Sequence, residues 1–152
     1  MNPELTRLAG AFKNLAVLFL SIATISFAIS IYLYVTKNAD MFLSIHSFLY
    51  FVFGAVYLGY PKKLDTMVQK PLIKKKIVLG MIIYIFWILL SAFMLWLSLR
   101  YLMQIYQRYA FVKGWTFQGI ILPIITIISL TIAVFYEYRL LQYCRKNKAT
   151  GS

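Results

Sequence analysis

The chain has 152 residues, 62% of them hydrophobic and only 13% charged, with a mean hydropathy of +0.76. A soluble domain is roughly 45–50% apolar and about 25% charged, and a domain of this size cannot hide the excess inside; a water-soluble globule is excluded and lipid is the remaining solvent. Sixteen Lys plus Arg against four Asp plus Glu give a formal charge of +12, but the basic residues lie between long apolar runs, which points to topology and lipid headgroups rather than to nucleic acid.

The first run without charge is Asn14–Thr36, 23 residues between Lys13 and Lys37. A helix rises about 1.5 Å per residue and the hydrocarbon core is about 30 Å thick, so roughly 20 residues span it. The run is too long for a signal-peptide core of about 7–15 residues and no A-x-A-like site follows, so it is expected to be retained. Four hydroxyls, Ser21, Thr24, Ser26 and Ser30, sit within it. Thr24 and Ala28 share one helical face, and Ser26 and Ser30 share another roughly 160–200° away. Small residues four apart let helices approach closely in lipid, where no hydrophobic drive pulls them together.

Only Lys37, Asn38, Ala39 and Asp40 precede the second run, Met41–Pro61. So short a link forces an antiparallel hairpin. His46 is the one ionisable group inside any run, about 7.5 Å along the helix from Met41. An intramembrane histidine suggests a proton relay, a metal or haem ligand, or a hydrogen bond between helices. One histidine with one cysteine makes neither a zinc site nor a bis-His haem site, and Ser44 and Ser47 point away from it, so the interhelical bond is the favoured reading. Ala55 with Gly59 is a third small-residue pair, and Tyr50 and Tyr57 are expected to face other helices because a hydroxyl at that depth wants a partner.

Lys62–Lys76, bracketed by Pro61 and Pro71, reads as a loop carrying six lysines, among them Lys74, Lys75 and Lys76. The third run is Ile77–Leu99, in which Tyr84 joins the tyrosines expected to face other helices. The segment Arg100–Lys113 is expected to continue that helix into the interface, with Tyr101, Tyr106, Tyr109 and Trp115 as anchors. The fourth run, Gly114–Tyr136, contains Ser129 with Ala133 as a further small pair, and Pro123, expected to kink the helix by freeing the Gly119 carbonyl. All four acids, Glu4, Asp40, Asp65 and Glu137, read as lying at or beyond the ends of the runs. Cys144, Arg145, Lys146 and Lys148 belong to a basic tail. The cysteine there is a candidate for acylation, with an unmodified interfacial thiol the plainer reading.

Orientation follows from the basic residues. Arg7, Lys13, the six loop lysines, Arg139, Arg145, Lys146 and Lys148 make twelve on one side, against Lys37, Arg100, Arg108 and Lys113 on the other. The rule that basic loops stay inside puts both termini in the cytoplasm. The expected fold is an all-α integral membrane protein: a single domain over residues 1–152, with four transmembrane helices in an antiparallel bundle. The bacterial cytoplasmic membrane, or an equivalent inner membrane, is its expected place.

No set of nucleophile, base and orienting group is present, nor a phosphate loop, H-E-x-x-H or C-x-x-C, so neither enzyme activity nor a metal or cofactor is expected. The function expected is that of a non-catalytic membrane subunit that assembles, regulates or inhibits a partner through helix packing. It would form homo- or hetero-oligomers, touch anionic headgroups through Lys74–Lys76 and Arg145–Lys148, and bind no nucleic acid. The alternative is a homo-oligomeric channel or transporter.

Overall fold

A computed structural model describes residues 3–36, 41–70, 72–106 and 120–149. Its elements are all helical: α1 (Pro3–Val35), α2 (Met41–Gln69), α3 (Ile73–Tyr106) and α4 (Leu122–Ala149). Among the described residues three helices are long and apolar enough to cross a membrane, through Pro3–Val35, Ile73–Tyr101 and Leu122–Lys146. The architecture is that of a helical membrane protein.

Two compact units divide the chain, one comprising Met1–Ile73 with Tyr143–Ser152, the other Lys74–Gln142. The first is built on the α1–α2 hairpin. Pro3 opens α1, where its missing N–H has no intrahelical partner anyway, and Glu4 in the first turn suits the positive end of the helix dipole. Thr36 closes it: its amide donates to the Tyr32 carbonyl at 3.0 Å, and its hydroxyl donates to the Tyr32 and Leu33 carbonyls at 3.0 and 3.2 Å. Those carbonyls would otherwise be orphaned at the helix end.

α1 is 33 residues long, about 50 Å, which exceeds the apolar run by three turns at its start. Its buried positions, Leu5, Leu8, Ala9, Phe12, Leu15, Ala16, Phe19, Ala23 and Ser26, recur every three or four residues along one stripe. They pack on a matching stripe of α2 at Ser47, Tyr50, Gly54, Tyr57 and Leu64.

The expected loop over 62–76 is corrected. α2 passes through Pro61 and ends at Gln69, so the connection to α3 is only 70–72. The Lys70 amide donates to the Met67 carbonyl at 3.1 Å, and the Ile73 amide donates to the Lys70 carbonyl at 3.2 Å, making a tight turn. Pro61 removes the bond from position 61 to the Tyr57 carbonyl, and Phe12 of α1 packs on Tyr57 and Tyr60 in the turn just before it.

In the second unit α3 buries few positions, Ile77, Tyr84 and Ser98 among them. α4 buries Leu122, Thr126, Ser129, Leu130, Ala133, Glu137, Leu140 and Leu141 on one stripe and exposes Ile124, Ile128, Ile132, Phe135 and Tyr138 on the other. Pro123 is the second residue of α4, which the helical Ile120 and Ile121 precede; Gly119, which the expected kink involves, lies outside the described residues. The Thr126 hydroxyl donates to the Leu122 carbonyl at 2.8 Å.

Candidate functional site

The most developed constellation of side chains is the α1–α2 seam. Phe12 stacks on Tyr57 with ring centroids 5.5 Å apart and meets Tyr60 edge-on at 5.0 Å. Phe19 meets Tyr50 edge-on at 5.2 Å and Tyr57 at 5.7 Å. His46 completes the ladder, its ring 4.6 Å from that of Tyr50. Phe12, Phe19, Tyr50 and Tyr57 are fully buried. Aromatic pairs of this kind contribute about 0.5–1.5 kcal/mol each beyond area burial. In lipid, where area burial between helices counts for little, they are a main source of cohesion. Tyr50 and Tyr57 thus face another helix, as their depth in the run requires.

Close approach of the backbones comes from Gly54. A Cβ there would lie 2.7 Å from Leu20 Cγ and 3.2 Å from the Leu20 backbone nitrogen. The small pair read from the sequence lies elsewhere: Ala55 is exposed, and a Cβ at Gly59 would meet nothing within 4 Å. Gly54 was not singled out because the residue four away is the bulky Leu58, so no small-xxx-small pattern marks it. It sits instead one turn from Tyr50 and Tyr57 on the tyrosine stripe.

The two faces of α1 are in different situations. Ser26 is buried, and the Ser30 hydroxyl pairs with the Ser44 hydroxyl of α2 at 2.7 Å. Thr24 and Ala28 are exposed, and the Thr24 hydroxyl donates to the Leu20 carbonyl at 2.8 Å in its own helix. Beside this open face lies a groove of about 350 Å³ lined by Ala23, Thr24 and Phe27 of α1 and Ser44, Ser47, Phe48 and Phe51 of α2. Ser129 and Ala133 are both buried on α4, the Ser129 hydroxyl donating to the Thr126 carbonyl at 3.2 Å.

Two buried ionisable groups stand out, and the burial of one was not expected from the sequence. His46 is buried on the seam, as a residue used between helices should be. Glu137, read as lying beyond the end of the fourth run, is only 2% exposed. The helix does not stop at Tyr136 but runs on to Ala149. The other buried polar side chains among the described residues are serines, Thr126 and His46, and every described Lys and Arg is exposed or half-buried. Arg139, two positions on, projects outward over the Phe135 ring at 5.2 Å.

Lys75, Lys76, Arg145 and Lys146 are exposed and Lys74 is half-buried, while the Lys148 side chain lies outside the described residues. Cys144 is buried, so its thiol is packed rather than presented to an acylating enzyme. Among the described residues no three His, Cys, Asp or Glu side chains come together as a metal-sized group. No family model, no curated protein and no solved structure matches the chain.

Proposed function

We propose that the chain is a non-catalytic subunit of a membrane assembly, crossing the bilayer four times with both termini in the cytoplasm and acting through helix packing. The observation that carries this reading is the division of labour on α1. One small-residue face, Ser26 with Ser30, is taken up by the chain's own second helix, while the other, Thr24 with Ala28, stays open beside a groove wide enough for large side chains. An exposed threonine–alanine face has no use against lipid tails, which pack as well on leucine; it has a use against a second helix brought close. The partner helix belongs to another copy of the chain or to another membrane protein.

The test is the mass of the purified complex in mild detergent. Wild type should run above its monomer mass or retain a partner; Thr24→Leu with Ala28→Leu should dissociate the complex while helicity is kept. A strictly monomeric wild type with no retained partner would overturn the reading.

Glu137 favours a second reading, a homo-oligomeric channel or transporter, because a carboxyl buried within a helical membrane protein is rare and marks ion or proton paths. Ion or proton flux through proteoliposomes, abolished by Glu137→Gln with assembly intact, would select it.

A further inference from the structure

At one end of the first unit the charges are carried on helix rather than on loop. α1 reaches back to Pro3 and α2 runs on to Gln69, and the contacts of Phe12 with Tyr57 and Tyr60 pin the two together there. Leu5, Leu8, Ala9 and Leu64 are buried inward, while Arg7, Lys13, Lys62 and Lys63 are exposed outward. Arg145 and Lys146 are exposed in the same unit, whose described acids here are Glu4 and Asp65. A lysine on a loop can swing to many heights; one mounted on a packed helix is held at a fixed height above the apolar run.

Register adds a second observation. Lys13 stands one turn from Val17, and Lys62 one turn from Leu58; residues four apart lie one above the other on a helix face. Val17 and Leu58 are exposed large apolar side chains, 56% and 50% open. Each helix thus presents, on one face, a cation directly above a bare apolar surface. A soluble acidic partner would satisfy the cation and leave the apolar part uncovered. An amphiphile with a phosphate and an acyl chain satisfies both, and the flexible lysine stem lets the ammonium rise to phosphate height.

We propose that this end of the α1–α2 hairpin is a binding surface for anionic phospholipid, the phosphate held by Lys13 and Lys62 and the acyl chains lying along Val17 and Leu58. The surface is independent of the subunit reading, since it lies at the opposite end of the hairpin from the Ser30–Ser44 contact.

The experiment uses the purified full chain, delipidated in nonionic detergent and followed by native mass spectrometry. It is titrated with phosphatidylglycerol, with phosphatidylcholine of the same acyl chains, and with inorganic phosphate. Each cation near an anionic headgroup favours binding about fivefold, so phosphatidylglycerol should outbind phosphatidylcholine by tenfold or more. Lys13→Gln with Lys62→Gln should remove most of that preference, Arg100→Gln should leave it intact, and inorganic phosphate should not compete. Should the double variant misfold, the wild type alone decides: the preference must shrink as ionic strength rises. Equal binding of the two lipids, a preference indifferent to salt, or displacement by inorganic phosphate at matched concentration would each overturn the proposal.

Discussion

Gly54 offers the sharpest probe of the packing. Replacing glycine by alanine in a helix ordinarily gains about 1 kcal/mol, because glycine surrenders more backbone freedom. At position 54 the added methyl would lie 2.7 Å from Leu20 Cγ, 2.8 Å from Leu20 Cδ2 and 3.2 Å from the Leu20 amide nitrogen. The Cγ and Cδ2 can move aside only by switching to the other χ1 rotamer a helix allows, and the backbone nitrogen cannot move without shifting α1. Overpacking of that kind costs about 1–3 kcal/mol. Gly59, five residues along the same helix, has nothing within 4 Å of its would-be Cβ, so Gly59→Ala keeps the propensity gain and meets no penalty. Gly54→Ala should therefore be less stable than Gly59→Ala by about 1–3 kcal/mol. Reversible unfolding in mixed micelles, titrated with a denaturing detergent and followed by circular dichroism, measures both. Leu20→Ala in the Gly54→Ala background should recover part of the loss, which a double-mutant cycle reads as coupling. A Gly54→Ala variant as stable as Gly59→Ala would refute the close approach of α1 and α2 at this point.

His46→Gln should retain stability and assembly, since the amide can still hydrogen-bond at the seam, whereas His46→Leu should cost about 1–2 kcal/mol of helix association, measured by the same unfolding titration. Complete loss of function in the Gln variant with unfolding unchanged would instead assign His46 a chemical role. Glu137→Gln should fold almost as wild type, while Glu137→Ala should cost about 1–3 kcal/mol by stranding buried groups that now face it. The exposed Asp65→Ala should stay within about 0.5 kcal/mol of wild type, so equal effects at the two acids would deny that Glu137 is buried.

Much of the helical framework was legible because charges bound the apolar runs, and lipid tolerates few of them. The same logic failed where helices outrun the hydrocarbon. Glu4, Arg7 and Lys13 broke the first run, yet Leu5, Leu8, Ala9 and Phe12 keep helical spacing between them, and that stripe extends α1 to Pro3. Pro61 and the lysines after it read as a loop, but Leu64, buried three residues later, continues the tyrosine stripe and carries α2 onward. The burial of Tyr50 and Tyr57 was legible from depth alone. That of Glu137 was not, because a charge at the edge of an apolar run says where the run ends and not where the helix or its covering neighbours end. Which face of α1 its own hairpin covers was equally beyond one sequence: Thr24–Ala28 and Ser26–Ser30 are equivalent as patterns, and only the Ser30–Ser44 pairing separates them.

The number of crossings and their direction are tested most directly by single cysteines in a Cys144→Ser background, labelled in intact cells with a membrane-impermeant maleimide. Cysteines at Asp40 and Ala110 should label from outside, and cysteines at Asn2, Asp65 and Lys148 should label only after the membrane is opened. Asp65→Cys labelled in intact cells, or Asp40→Cys protected in them, would contradict four crossings with both ends inside.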